Sequence, residues 1–306
     1  MTNGTLRTIA TLATAALGLS LTPPAFAADG VIEINQACAE ATGCFPGDAP
    51  GFPVRITEIG SYRLTGDLSV PSGTNGIRID ANGENGPVTL DLGGFAVSST
   101  TVCTNTGDTG STISCSGGSG AQVGIEVAAK NVTVRNGTVR GFNWRGIGNS
   151  GHQGNVRLEG LRVTSNAAGG TSCGAINFDD SPNVTIVDTE VIRNGACRAI
   201  TLTNGGKVID SIVSENLGEG LWTSFGNHLV RGNIFRANAQ SAVQLDQFGS
   251  GDQSLVQDNV IVDNGVNGVQ GLATIKGNVI NNNGGTLSGS IVEIGTNLCN
   301  GNTTCP

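Results

Sequence analysis

One column of asparagines organises most of this sequence. An asparagine recurs with one apolar residue three positions before it, another eight positions before it, and a third several positions after it. The column is Asn166, Asn194, Asn216, Asn238, Asn264 and Asn283. Equivalent positions in successive units lie between 19 residues (Asn264 to Asn283) and 29 residues (Ile147 to Ile176) apart. A unit this short has a single apolar side, so it folds only when it stacks on copies of itself.

Three apolar columns run through these units. The first is Val134, Leu158, Ile186, Val208, Val230, Val256 and Ile275. The second is Val139, Val163, Val191, Val213, Phe235, Ile261 and Ile280. The third is Ile125, Ile147, Ile176, Ile200, Leu221, Val243, Val269 and Ile291. Three columns predict three short strands in each coil, and therefore three parallel sheets around one narrow core.

Composition agrees with a coil of strands. The 306 residues include 48 Gly, one Met and only 4% aromatic residues, which disfavours a helical protein. We predict about nine to ten coils and, at about 4.8 Å per rung, a length of roughly 45 Å. We assign the asparagine column to a tight bend between sheets, because asparagine tolerates unusual backbone angles and its amide bonds the amides above and below.

The eight cysteines fall into four pairs that are close in sequence. The pairs are Cys38–Cys44, Cys103–Cys115, Cys173–Cys197 and Cys299–Cys305. In an exported protein such pairs predict four disulfides. Cys173 and Cys197 each lie three residues before a member of the third column. Rungs about 4.8 Å apart suit the Cα separation of a disulfide, so this pair also tests the alignment.

The first 27 residues have the pattern of a secretory signal peptide. Arg7 supplies the positive charge, Ile9–Leu21 is the apolar region, and Ala25–Ala27 fits a small-x-small cleavage site. We therefore predict a secreted protein, periplasmic or extracellular, with no integral membrane segment after cleavage.

The mature chain is acidic. Removal of Arg7 takes the 16 basic residues to 15 and leaves 24 acidic residues, which gives a formal charge of −9. Such a surface excludes nucleic acid as a partner. It also repels acidic polysaccharide, unless Ca²⁺ or a local cluster of basic residues intervenes.

The rest of the domain plan follows from the same pattern. Residues 28–53 are expected to form an N-terminal cap, with a helix over 31–44 that covers the first coil. The β-coil then occupies 54–306. It carries a Ser/Thr/Gly-rich loop insertion over 99–121 and ends in a tie-down over 295–306.

The repeated units resemble those of a known superfamily. The units NVTV-RNGTV, NVRL-EGLRV, NVTI-VDTEV and GNVI, with their asparagine column, resemble right-handed parallel β-helix proteins of the pectin-lyase-like superfamily. The likeness covers about 54–298 and extends to an uncharacterised exported bacterial subgroup. It implies an all-β chain with a single right-handed parallel β-helix. It also implies polysaccharide as the ligand, although the superfamily includes lyases, hydrolases, epimerases, esterases and adhesins.

A polar face follows the third apolar column. One position after it stand Asn177, Thr201, Trp222 and Gln244. Three positions after it stand Asp179, Thr203, Ser224 and Asp246. An exposed tryptophan beside amides and carboxylates suits a sugar ring. We therefore predict a glycan groove along Asn177, Thr201, Trp222 and Gln244. An ordinary solvated sheet face is the alternative.

Catalytic candidates on this face are Asp179, Asp180, Asp246 and Arg198. Hydrolysis needs two carboxyl groups that lie close together, whereas elimination from a uronate needs a base and a neutralised carboxylate. Arg145 shares a column with Arg198 and would serve the second chemistry. The motifs of polygalacturonases and pectate lyases are missing, so a non-catalytic glycan-binding or surface scaffold stays open. Two or more charged groups that converge on one face would favour an enzyme.

The sequence also offers a candidate calcium site at one bend. Asp188 and Asp210 occupy the same place in consecutive coils and would hold Ca²⁺ with help from carbonyl oxygens. The alternative is that each aspartate simply caps its own turn.

Overall fold

The computed structural model describes Met1 and residues 30–81, 86–105, 113–118, 120–151, 153–166, 174–195, 198–245 and 253–305. These residues form an almost all-β chain in which neighbouring strands are parallel. The fold is a parallel β-helix, as the apolar columns predict. The predicted signal peptide, residues 1–27, lies outside the described residues, apart from Met1.

Three stacks of strands, named sheets 1, 2 and 3 in the order in which each coil visits them, surround the core. The described strands of sheet 1 are Val31–Ile34, Gly60–Leu64, Val88–Asp91, Thr185–Val187, Lys207–Ile209, Leu229–Arg231, Ser254–Gln257, Ala273–Lys276 and Ile291–Glu293. Those of sheet 2 are Leu68–Ser69, Ala96–Ser98, Glu190–Ile192, Ile212–Ser214, Ile234–Arg236, Val260–Val262, Val279–Asn281 and Leu298–Cys299. Two long strands, Val132–Arg140 and Val156–Thr164, run through both sheets and join them.

Sheet 3 carries the third apolar column. Its described strands are Val54–Ile56, Ile77–Ile79, Val123–Val127, Arg145–Asn149, Gly174–Phe178, Arg198–Thr203, Glu219–Ser224, Val243–Gln244, Asn267–Gln270 and Gly285–Ser288. They follow one another in chain order across the sheet. The inward side chains of all three sheets are almost fully buried and form one continuous core. This continuity explains why no single coil is stable alone.

The register matches the apolar columns except at the last coil. In sheet 3, Val269 pairs with Leu287, whereas Ile291 lies in sheet 1 opposite Ala273. The assignment of Ile291 to the third column was therefore wrong. The final coil shortens the bend after Asn283 by one residue. The sequence alignment placed Ile291 in the third column instead of Leu287, because it did not allow for the shorter bend.

The N-terminal segment differs from its prediction. Val31–Ile34 is a strand that pairs with Gly60–Leu64, and only Gln36–Ala41 is helical. The helix expected over 31–44 was thus too long, because the β-branched run Val-Ile-Glu-Ile extends along an open strand edge. Asn35 caps the helix by accepting from the Cys38 N–H at 3.0 Å. The Gln36 side chain donates to the Ser69 carbonyl and accepts from the Ser69 N–H. A capping role for this helix stays a prediction.

The asparagine column is a buried, hydrogen-bonded stack. Each Nδ2 donates to the Oδ1 of the next asparagine, at 3.3 Å from Asn166 to Asn194 and at 2.8 to 3.0 Å for the four later pairs. Each Oδ1 also accepts the backbone N–H of the equivalent residue in the preceding coil, as Asn216 does from Asn194 at 3.1 Å. The stack closes the bend between sheets 2 and 3.

A second stack, which the sequence reading missed, closes the bend between sheets 1 and 2. It consists of Asn233, Asn259, Asn278 and Asn297, with side-chain bonds of 3.0, 2.9 and 3.1 Å. Ser211 occupies the equivalent place one coil earlier, and its N–H donates to Asn233 Oδ1 at 2.9 Å. All these residues are buried.

Three of the four predicted disulfides are present. Cys38–Cys44, Cys103–Cys115 and Cys299–Cys305 have Cα separations of 4.7, 4.0 and 5.1 Å. Cys173 and Cys197 lie outside the described residues, so that pairing stays a prediction. The insertion over 99–121 contains an antiparallel hairpin, Val102–Asn105 with Ile113–Ser116. No helix in the described part of the chain is long and apolar enough to cross a membrane.

Candidate functional site

One continuous row of side chains crosses the outer face of sheet 3, and we call it the outer row. The strand register aligns its ten members on successive rungs. They are Arg55, Arg78, Glu126, Gly148, Asn177, Thr201, Trp222, Gln244, Gln270 and Ser288. The four predicted groove residues are adjacent members, so the structure brings them together.

Burial divides these four residues. Trp222 and Gln244 are half-buried. Asn177 and Thr201, which the sequence places on a solvated face, are instead only 6% and 2% exposed. The middle of the outer row is therefore covered. The alternation of a strand fixes which way a side chain points, but it does not report what lies over it.

Two arginines each lie three residues before a member of the outer row on their own strands. They belong to a second row, which we call the arginine row and which consists of Arg145, Gly174, Arg198 and Glu219. Arg145 is opposite Val123, and Arg198 is opposite both Gly174 and Glu219. Both guanidiniums lie on tryptophan rings. The Cζ atom is 4.0 Å from the Trp144 ring centroid for Arg145 and 3.7 Å from that of Trp222 for Arg198. These are the only two tryptophans of the sequence, and each holds one cation.

Neither arginine has a carboxylate within ion-pair distance among the described residues. The other arginines of sheet 3, Arg55 and Arg78, are paired with Asp80 and Glu126. Burial lowers the pKa of Arg145 and Arg198, while the more distant carboxylate of Asp179 raises both. Glu219 also raises the pKa of Arg198. The site thus holds two half-buried cations that are only partly compensated.

Glycines shape the space around Arg145. A Cβ atom at position 148 would lie 2.8 Å from Arg145 Cδ, so the arginine side chain lies flat across the sheet over Gly148. Its Nη1 donates to the Asn149 carbonyl at 3.1 Å. On the next rung, a Cβ atom at position 174 would lie 3.3 Å from Thr201 Oγ1. Because Gly174 is the residue between the two arginines in their row, no side chain of that row separates them.

Three buried polar atoms at the centre lack a hydrogen-bond partner in the described part of the chain. They are Arg145 Nε, Asn177 Oδ1 and Thr201 Oγ1. Such groups cost about 1–3 kcal/mol each when they stay unpaired. They lie on three consecutive rungs, so one polar ligand placed there would supply a partner for each of them.

The predicted catalytic aspartates have different surroundings. Asp179 is exposed, and its negative charge raises the pKa of both arginines. Asp180 sits in a left-handed turn, φ 56°, and its carboxylate accepts from Asn204 Nδ2 at 3.1 Å. The Asp180 N–H donates to Thr203 Oγ1. Asp246 lies outside the described residues, so its role stays untested.

The two ends of the outer row differ in chemistry. The first end carries the Arg55–Asp80–Arg78–Glu126 network, beside a cavity of about 440 Å³ that Phe52 helps to line. At the other end the members of the outer row, Gln270 and Ser288, are uncharged. There Ser241 Oγ and Asn267 Nδ2 both donate to Gln270 Oε1 at 3.1 Å. The charges that converge lie between these ends.

The candidate calcium residues occupy a structural bend. Asp188 and Asp210 both have φ of 48°, and Gly232 and Gly277 hold the equivalent bend in later coils with φ of 69° and 68°. This pattern matches the turn-capping alternative. No group of three or more His, Cys, Asp or Glu side chains within the described ranges could hold a metal ion. A site made of two aspartates and carbonyls stays a prediction.

Sequence reasoning missed Trp144, Glu126 and Glu219. Trp144 immediately precedes Arg145, and Glu219 shares the column of Arg198. The column of the two arginines, extended by one coil, would have found Glu219. Nothing in the spacing indicates that both guanidiniums lie on rings.

Comparison with known proteins supports the fold. No protein-family model matches the sequence, and no curated protein matches it. Among solved structures, the pectate lyase Pel9A superposes with a TM-score of 0.57 at 11% identity, over 78% of this chain and 69% of that one. The ORF18 protein of Geobacillus virus E2 gives 0.54 at 10% identity, over 80% of this chain and half of that chain. At such identities the likeness shows the fold alone.

Proposed function

We propose that this protein binds an acidic polysaccharide along the outer row and cleaves it by β-elimination beside Arg145 and Arg198. The observation that carries the proposal is the pair of half-buried guanidiniums, each held by a tryptophan and neither paired with a carboxylate in the described chain. An anionic ligand would complete their compensation. This is the local basic cluster that an acidic chain needs in order to attract an acidic polymer.

The chemistry of elimination fits these groups. A guanidinium that binds the carboxylate of a uronate makes the neighbouring C–H more acidic. The exposed Asp179 carboxylate is the candidate base that takes this proton. The electron pair forms a C=C bond, the glycosidic C–O bond breaks, and the departing oxygen takes a proton from water.

Hydrolysis fits less well. It needs two carboxyl groups about 5–9.5 Å apart. Asp179 follows Ile176 by three positions, and Glu219 precedes Leu221 by two. The strand register therefore does not bring these two acids opposite each other. The Asp180 carboxylate is engaged by Asn204. The pectate lyase that shares this fold is named for an acidic polysaccharide, which is in keeping with the proposal.

A non-catalytic, glycan-binding scaffold is the second candidate. The burial of Asn177 and Thr201 favours it, because a polymer can bind at the half-buried Trp222 and Gln244 without reaching the covered centre. The two candidates share the ligand and differ in turnover.

One assay separates them. The protein is incubated with acidic and neutral polysaccharides, with and without Ca²⁺, and the ultraviolet absorbance of unsaturated uronides and the new reducing ends are both followed. Absorbance gain that Asp179→Asn abolishes, with binding retained, supports elimination. Binding that Arg198→Ala weakens, without product, supports the scaffold. Arg231→Ala, an exposed arginine on sheet 1, is the matched control. No binding of any acidic polymer would refute both.

A further inference from the structure

We propose that the polymer alternates, with a uronate at Arg145, a neutral sugar that donates hydrogen bonds on the next rung, and a second uronate at Arg198. This inference rests on the proposed function and narrows its substrate class. It distinguishes alternating acidic copolymers from polymers made of uronates alone.

The spacing of the two arginines is the first argument. Arg198 is opposite Gly174, and the strand of Arg145 is the next one in the sheet. The two Cα atoms are therefore two rungs, or about 10 Å, apart. A pyranose unit of an extended polysaccharide is close in length to one rung. A chain that follows the outer row would thus present every second sugar to an arginine.

The chemistry of the rung between them is the second argument. That rung offers Gly174 in the arginine row and Asn177 in the outer row. Asn177 Oδ1 is an acceptor, is buried, and has no partner in the described chain. A carboxylate brought to it would place acceptor against acceptor. A hydroxyl or an acetamido N–H would supply the missing donor, and Thr201 Oγ1 can bond the same sugar.

The following rung gives an independent argument. Directly opposite Arg198, the arginine row continues with Glu219. Its carboxylate would repel a uronate on that rung and accept from a hydroxyl. The arginine row thus offers a cation, no side chain, a cation and an anion on four successive rungs. This order selects against a carboxylate on every sugar.

The free donor of Arg145 suits a carboxylate in the first position. Its Nη1 bonds the Asn149 carbonyl, and its Nε has no partner in the described chain. The arginine side chain lies over Gly148, one rung from Asn177, so a carboxylate bound at Arg145 would lie next to the sugar at Asn177.

The test compares four immobilised polymers at one ionic strength. They are hyaluronan, which alternates glucuronate with N-acetylglucosamine, the homopolymers polygalacturonate and polymannuronate, and neutral dextran. Hyaluronan is expected to bind at least tenfold more tightly than either homopolymer. Equal or tighter binding of a homopolymer would overturn the inference and leave the acidic-glycan proposal standing. Binding of no acidic polymer would overturn both.

A pair of valine variants tests the middle rung. Thr201→Val is expected to weaken hyaluronan binding about fivefold, the value of one hydrogen bond, with no change for the homopolymers. Thr223→Val is the matched control, because Thr223 Oγ1 is equally buried and unpartnered in the described chain but faces the core. Removal of an unpaired hydroxyl should not lower the melting temperature of either variant. An unchanged hyaluronan preference in Thr201→Val would refute the assignment.

Discussion

Replacement of Asn216 by leucine tests the asparagine stack directly. Asn216 is fully buried. Its Nδ2 donates to the Val191 carbonyl and to Asn238 Oδ1, both at 2.9 Å. Its Oδ1 accepts from the backbone N–H and the Nδ2 of Asn194, at 3.1 and 3.0 Å. Leucine is similar in size and removes all four bonds without leaving a large cavity.

The remaining partners set the magnitude. Asn194 Nδ2 keeps its bonds to the carbonyls of Val163 and Ile192, and Asn238 Oδ1 keeps the backbone N–H of residue 216. The Asn194 N–H and the Val191 carbonyl each lose a partner in a dry interior. At about 1–3 kcal/mol for each group, the loss is about 2–6 kcal/mol. Apolar contacts of the new leucine offset part of it, so we expect about 3 kcal/mol.

Urea unfolding followed by far-ultraviolet circular dichroism measures this loss as a fall in the midpoint. Asn227→Leu is the control, because Asn227 is exposed and such a change usually stays within about 0.5 kcal/mol. If Asn216→Leu unfolds at the same urea concentration as Asn227→Leu, the stack does not stabilise the bend and the reasoning is refuted.

Three further predictions concern other parts of the molecule. Burial and Glu58 raise the pKa of Tyr62, the single tyrosine. The folded state therefore retains its proton longer, and the free energy of unfolding should fall as the pH rises above about 10; a phenolate absorbance midpoint that is equal in folded and urea-unfolded protein would contradict this. Trp222→Ala should weaken acidic-polysaccharide binding about fivefold, because Arg198 loses its ring, while the melting temperature stays unchanged; unaltered affinity would remove the tryptophan from the site. Added salt should weaken the same binding, since guanidinium–carboxylate attraction at a half-exposed face is screened, and salt-independent binding would exclude that attraction as its source.

The sequence predicted the fold well because its signal is repeated many times. Seven members in each of the first two apolar columns, held at fixed offsets from one asparagine, leave little freedom in the register. The register of the last coil was predicted wrongly, because one shortened bend places Leu287 where Ile291 was expected. The N-terminal helix was overestimated because Val31–Ile34 reads as amphipathic in either form, and only the open edge of Gly60–Leu64 decides for a strand.

The second stack was harder to predict for a chemical reason. Its first rungs use Thr189 and Ser211 in place of asparagine, and a column of mixed residues has no single letter to follow. Each hydroxyl meets the same need as the amides do. The backbone requirement is constant, but the side chain that meets it is not.

The sequence predicted which residues of the candidate site lie side by side, but it did not predict their burial or their contacts. Register alone aligned Asn177, Thr201, Trp222 and Gln244. Register alone did not indicate the burial of the first two residues, the packing of Arg145 over Gly148 or the rings that hold the cations. Burial and the cation–ring contacts depend on rotamers and on neighbouring segments, and the spacing of residues in a column does not predict either.

The two asparagine stacks also give the molecule an electrical direction. In every rung Oδ1 accepts a backbone N–H from the preceding coil, which fixes the amide orientation. In each rung except the last, Nδ2 also donates to the Oδ1 of the following coil. All side-chain amide dipoles therefore add along one axis, as peptide dipoles do in an α-helix. Each amide is polarised by both of its neighbours. An asparagine in the middle of a stack should consequently hold its neighbours more strongly than one at either end, and a longer coil would bind each of its inner rungs more tightly than a shorter one.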